Sequence, residues 1–260
     1  MPMRTYAAAL AAMTLLTLPG AAQDFHWTGS LAAGQRLEIK GVNGSVHATL
    51  AAGTQAVVDA RKTSRRSDPD EVKIVTVPFD GGVTICAVYP TGRHARSENS
   101  CEPGDSWHSS TDNNDVTVDF TVRVPAGVIF NGETVNGDVD AQGLKGDARV
   151  STVNGSVDVS TSGLAEASTV NGSIRAAMGR ADWSDEMSFS TVNGGITLTL
   201  PSNVSTEVRA ETVNGDMESD FPLTVTGKFG PRRLRGTIGG GGRELNLQTV
   251  NGSIRILKAS

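Results

Sequence analysis

Along most of this chain apolar and polar residues alternate, and the alternation is broken at intervals by one short phrase, Thr-Val-Asn-Gly. Six copies carry Asn136, Asn154, Asn171, Asn193, Asn214 and Asn251, each with a Thr two residues earlier: Thr134, Thr152, Thr169, Thr191, Thr212 and Thr249. A seventh copy, Val42-Asn43-Gly44, lacks the Thr. Four and six residues before each Asn stand apolar residues such as Val150 and Ala148, Phe189 and Met187, Leu247 and Leu245. Three and five residues after it come Val157 and Val159, Ile174 and Ala176, Ile254 and Ile256. Each arm therefore has the period of two that marks a strand with one buried face. The buried parity shifts by one residue across Asn-Gly, where glycine tolerates the sharp turn such a shift needs.

Successive Asn positions are 18, 17, 22, 21 and 37 residues apart, a period that signals stacked coils or repeated hairpins. The last gap is close to two periods with one unmarked turn, and residues 215 to 250 are expected to hold a second cap or an irregular coil, since Pro231 and the four glycines at 239 to 242 break the pattern there. Asn-Gly between alternating arms is a strong hairpin signal, which gives an antiparallel meander or sandwich as the alternative. A hairpin leaves the recurring Thr and Val without a reason. A flattened parallel β-solenoid supplies one, because like residues stack at each coil into ladders. The solenoid is the fold adopted here, right-handed by the preference of parallel crossovers. Thr and Asn are expected on its core side as a structural ladder. Val135, Val153, Val170, Val192, Val213 and Val250 then face outward, as a candidate interaction stripe.

The repeated Thr-Val-Asn-Gly, with the tail Phe229-Gly-Pro-Arg-Arg-Leu-Arg-Gly-Thr-Ile-Gly-Gly-Gly-Gly-Arg243, resembles the bacterial "putative adhesin" family of β-strand-repeat proteins. The likeness runs over about residues 35 to 257, and its specificity lies in the copy number. The resemblance implies an envelope or secreted β-repeat domain of unassigned function, with no catalytic residues to carry over.

The chain is expected to divide into an export signal (1–22), an N-terminal β cap region (23–128) and the repeat region (129–260). Arg4, the apolar run from Ala7 to Leu18 and the small residues before Gln23 make the signal. The residue directly after the cleavage point is Gln23 and not Cys, which argues against a lipoprotein anchor, and no later apolar run is long enough for a transmembrane span. In the cap region, strands are expected over 55–61, 72–77, 82–89 and 116–124, with a hairpin loop at Pro78 to Gly82 and a short helical turn capped near Asp68. Cys86 and Cys101 read as a disulfide in an exported chain, closing a 15-residue loop worth about 3 kcal/mol.

Composition narrows function further. Thirty glycines and few aromatics suit a turn-rich all-β chain, and a net charge of −5 argues against nucleic acid as a partner. His26, His47, His94 and His108 lack metal-ligand spacing, so neither a metal nor a cofactor is expected. Asp112-Asn113-Asn114-Asp115 reads as a turn rather than a calcium loop. Glu133, Asp138, Asp140, Asp158, Glu211, Asp216 and Glu218 fall at outward parity, mixed with Arg175 and Arg255, and read as a solvated face. Lys228, Arg232, Arg233 and Arg235 form a candidate contact for anions.

The expected function is an exported, non-enzymatic binding, adhesion-like or scaffolding module of the bacterial envelope. It would meet a protein, glycan or lipid headgroup, or another copy of itself. The alternatives are an envelope-stress sensor for lipid or peptide and, third, a glycan-acting β-helix enzyme. That enzyme would need a cleft of close carboxylates and aromatics, whereas the repeat arms are poor in aromatics and the only tryptophans are Trp27, Trp107 and Trp183.

Overall fold

The structure is a computed structural model that describes residues 25–104, 109–184, 186–225 and 232–260. The expected export signal, Trp107, His108 and Lys228 lie outside these residues. Each Asn-Gly joins a leading strand to a trailing strand, and the two belong to different sheets. In the coil of Asn154 the leading strand is Ala148–Ser151 and the trailing strand Val157–Thr161. The leading strand pairs in parallel with Ile129–Glu133 and Ala165–Ser168. The trailing strand pairs in parallel with Val139–Leu144 and Ile174–Met178, and Val157 stands opposite Ile174. Among the described residues the leading sheet has 11 strands and the trailing sheet 10, parallel through the Asn coils with antiparallel strands added at the ends. The fold is a flattened parallel β-solenoid. An antiparallel meander would instead pair each trailing strand with the leading strand just before it.

The alternation explains why the sheets face each other. Val150, Phe189 and Leu247 of the leading sheet, and Val157, Ile174, Ile196 and Ile254 of the trailing sheet, are at most 1% exposed. Burying each such side chain contributes about 1.5–3 kcal/mol. The core is one strip along the axis, rebuilt at every coil.

The corner phrase is a bonding device. The Thr points inward: Thr134, Thr152, Thr169, Thr191, Thr212 and Thr249 are all at most 5% exposed. Thr169 Oγ1 donates to the Gly155 carbonyl of the preceding coil at 2.8 Å, and Thr152 and Thr191 bond Gly137 and Gly172 likewise. That carbonyl also dictates glycine in the next coil. A Cβ on Gly172 would lie 1.9 Å from the Gly155 oxygen, and one on Gly155 2.0 Å from that of Gly137. The Asn side chains form a continuous amide ladder, with Asn171 Nδ2 donating to Asn154 Oδ1 and Asn193 Nδ2 to Asn171 Oδ1 at 2.8 Å.

This ladder lies outside, not in the core as strand parity implies. Asn154 and Asn171 are exposed, because at this residue the chain leaves one sheet for the other and the alternation is suspended. The residue after the glycine makes a second ladder. Ser156 N donates to Asp138 Oδ1 at 2.7 Å, and Ser173 N reaches Ser156 Oγ at 3.3 Å. The recurrence of Ser or Asp at this position was the sequence signal for it.

The coils do not stack in chain order. The Asn ladder runs 43, 136, 154, 171, 193, 251, 214. The last copy sits between the two before it: Glu244–Asn251 pairs in parallel with Glu186–Ser190 on one side and Thr206–Asn214 on the other. The long final gap is therefore not an unmarked coil. It carries the chain past one empty slot, through the antiparallel strand Arg233–Ile238, and back to fill the slot. The other end repeats this. The Asn43 coil, Arg36–Lys40 and Val46–Leu50, is flanked on its outer side by Gly82–Val88 and Thr117–Val124. Residues 25–124 thus supply the first Asn coil and, beyond it, antiparallel strands Phe25–Ser30, Gln55–Thr63 and Lys73–Phe79 that cover the end. Such cover blocks edge-to-edge pairing. The expected helical turn is Pro69–Glu71, where Asp68 accepts from the Asp70 amide.

The corner geometry sets an expected outcome. Gly172→Ala forces backbone apart and costs about 2–4 kcal/mol, lowering Tm by about 5 °C or more. Gly53, with nothing within 4 Å of its Cβ position, tolerates alanine. Thermal unfolding of both variants checks this; equal Tm values would refute the close-approach account.

Candidate functional site

The outer face of the leading sheet is built from residues one, three and five before each Asn. The first of these rows is the valines. Val153, Val170, Val192, Val213 and Val250 are 38–47% exposed. Val135 is partly buried against the core and Val42 is buried, so the exposed stripe begins at Val153. The turn uses only the valine backbone: the carbonyl of Val153 accepts from Val170 N and Asn171 N at 3.2 and 2.8 Å.

The next row is polar, with short serines at its middle. In register it runs Glu133, Ser151, Ser168, Ser190, Gln248, Glu211 and Arg233. Small hydroxyls beside branched valines leave a trough. It has a volume of about 700 Å³, with Val170, Val192, Val250 and Val213 along it, Ser168 and Ser190 beside them, and Arg232 and Arg233 at one end. Two further cavities of about 440 Å³ lie on the same face, one over Arg149, Glu166 and Ser188, the other between Gly104 and Trp183.

The arginine end is rich in positive charge. Arg233 Nε stands 3.5 Å from Glu211, and Arg209 Nη2 stands 3.2 Å from the same oxygen. Arg209 lies directly opposite Arg235 across the antiparallel pair. Two candidates expected separately, the valine stripe and Arg232–Arg233, thus line one trough. Arg235 borders a neighbouring cavity of about 260 Å³ with Arg209 and Glu207.

The remaining candidates are dispersed. Asp138 accepts from Ser156 N, Asp158 from Gln142 Nε2, and Glu218 from Arg255. His26 pairs with Asp59 and His47 with Asp140, far apart in sequence and each on its own strand pair. Among the described residues no group of three or more His, Cys, Asp or Glu could hold a metal ion.

Cys86 and Cys101 form the disulfide, with Cα atoms 5.6 Å apart. It fastens segment 101–104 over outward positions of the leading sheet. Glu38 and Lys40 alternate with the core residues Leu37 and Ile39 and so sit on the outer side of their strand, yet they are 1% and 2% exposed. Lys40 Nζ donates to the carbonyls of Glu102 and Gly104. Burial pushes the Glu38 carboxyl upward, but bonds from Thr84, Gly104 N and Arg36 outweigh it, so its pKa falls below the ordinary value.

Asp112 to Asp115 act as a turn. Asp112 accepts from Arg93 N at 2.7 Å, and Asp115 from Ser67 N at 2.8 Å and Arg66 N at 3.3 Å.

The family comparison is decisive. The family profile described as Toastrack DUF4097 matches residues 108–257, more than half of the chain. The chain belongs to the Toastrack DUF4097 family. Solved structures of similar fold include a "putative cell adhesion protein" from Clostridium sporogenes, at 12% identity and a TM-score of 0.45, covering 90% of this chain and 99% of that one. Another is a "putative adhesin" from Bacteroides fragilis, at 15% identity and a TM-score of 0.36, covering 90% and 96%. No curated protein matches. The Toastrack match takes in the coils from Asn136 to Asn251, and with them the whole valine trough.

Bonds from the Ser67 amide and hydroxyl hold Asp115 at a pKa of about 2, against 3.8 ordinarily. A depressed carboxylate stabilises the fold above its unfolded pKa, and that stabilisation fades as pH falls through the folded one. The Tm gap between wild type and Asp115→Asn is therefore expected to be widest near neutral pH and to close between about pH 4 and 2. A gap that stays constant on acid titration would show that these bonds do not hold the charge.

Proposed function

We propose that this Toastrack protein is an exported, non-enzymatic binding module of the bacterial envelope, adhesion-like in action, which docks its ligand along the valine trough. The observation that carries this is the valine row. Thr, Asn, Gly and the Ser or Asp that follows are each accounted for by corner bonding, whereas the side chains of Val153, Val170, Val192, Val213 and Val250 take no part in it and stand in solvent. Contiguous exposed apolar surface marks interaction sites. A repeat places one equivalent contact on each coil, so individually weak contacts sum along the axis. The carboxylates bear on the non-enzymatic part of the reading, since Asp138, Asp158 and Glu218 are engaged in ladder bonds or ion pairs. The disulfide supports export to an oxidising compartment.

The test is the triple variant Val170→Ser, Val192→Ser, Val250→Ser. Labelled wild-type protein is titrated onto isolated bacterial envelopes, and the variant is expected to bind at least tenfold more weakly with an unchanged circular dichroism spectrum. Envelope binding that survives the triple change in a folded chain sinks the proposal.

A further inference from the structure

The docking reading leaves open what chemistry fits the trough. Three features narrow it. First, the apolar row has a defined length: from Val170 through Val192 and Val250 to Val213 there are three coil steps, about 14 Å at strand spacing. Second, the trough lies on a sheet face and not at an edge. Backbone groups along it are committed to neighbouring coils, as where Val192 N and Asn193 N both donate to Val170 O, and Val250 N and Asn251 N to Val192 O. An extended peptide adds to a sheet through free main-chain groups, and at Val170 and Val192 the carbonyls are already taken by the neighbouring coil. Among the described residues no aromatic side chain lines the trough to stack on a sugar ring. Third, one end is cationic. Arg232 and Arg233 close it, and the single carboxylate there, Glu211, is shared between Arg233 and Arg209. Arg209 stands opposite Arg235, and like charges so placed repel. Arg232 and Arg233 thus meet one carboxylate at this end of the trough, in a chain of net charge −5, while Arg209 and Arg235 also border the neighbouring cavity with Glu207 and Glu244. Guanidinium groups are suited to bidentate binding of carboxylate or phosphate.

We infer that the trough takes a single long-chain anionic amphiphile, its acyl chain along Val170, Val192, Val250 and Val213 and its anionic head on Arg232 and Arg233. The inference rests on the docking reading and specifies its ligand. The surface is concave, which accommodates one chain and not the plane of a bilayer. Apolar burial along four valines supplies attraction, and the arginines set the direction in which the chain lies.

The experiment is calorimetric titration of the chain with monomeric laurate, below its micelle concentration. Wild type is expected to bind one laurate. Dodecanol, with an equal chain and no charge, is expected to bind at least tenfold more weakly, and acetate, with the charge and no chain, not at all. Arg232→Glu with Arg233→Glu is expected to reduce laurate affinity at least tenfold while leaving dodecanol affinity unchanged, a pattern that misfolding cannot give. Equal binding of laurate and dodecanol overturns the inference, as does binding only to phosphatidylglycerol vesicles, or self-association through the valines with no uptake of laurate. If wild type fails to bind laurate while its envelope docking still depends on the valines, the amphiphile is wrong and the docking reading stands. Laurate and envelope binding both unaffected by the triple valine variant remove the two together.

Discussion

One oxygen atom at each corner governs the stacking of this protein. The carbonyl of the corner glycine accepts the buried threonine hydroxyl of the next coil, as Gly155 does from Thr169 at 2.8 Å. The same oxygen comes so close to the next glycine that a Cβ there would stand about 2 Å away, as at Gly172. The corner thus fixes two residue types at once, one by attraction and one by exclusion. An unsatisfied hydroxyl or carbonyl at this depth would be costly, so the bond resists slippage between coils. Because the corner fixes register in both flanking strands, apolar side chains such as Val157, Ile174 and Ile196 stack directly on one another.

A corner that is the same in every coil also makes the slots equivalent. The Asn251 coil finds the same partners between Asn193 and Asn214 as it would beyond Asn214: amides for its amide, a glycine carbonyl for Thr249. Local bonding does not distinguish these positions. The choice is made by the strand that must turn antiparallel, Arg233–Ile238, which occupies the outer edge of Thr206–Asn214 and leaves the inner slot for the returning chain. At both ends the leading sheet finishes in antiparallel strands, and the trailing sheet does so at the N-terminal end, whereas its other end is the parallel strand Met217–Ser219.

That equivalence explains what was legible in the sequence. Periodicity of two located the strands, the spacing of Asn-Gly identified coils, and two cysteines gave the disulfide, because each is a local or pairwise signal. Coil order was hidden, since a motif that fits every slot carries no address. The outward Asn ladder was misplaced because parity holds only while a strand continues, and at Asn154 or Asn171 it does not. Burial of Glu38 and Lys40 depends on a segment more than sixty residues away, held by Cys101, and no pattern near Glu38 announces it. The site was half legible. Parity put the valines outside, but their meeting with Arg232 and Arg233 depends on how a distant strand packs against Thr206–Asn214.

The valines also show how a repeat can separate folding from binding. At Val42 and Val135 the side chain packs toward the core, and burial alone is reason enough for it. From Val153 onward the same residue occupies the same step of the corner with its side chain in solvent, where its backbone groups do all the corner requires. Strand preference does not single out valine there, because threonine has comparable preference and would be more soluble. A folding requirement would bear equally on every coil, whereas exposure of the valines is confined to the coils that border the trough and the arginines at its end. On the docking reading proposed above, the stripe is surface kept apolar on a scaffold whose corner bonds use only the valine backbone.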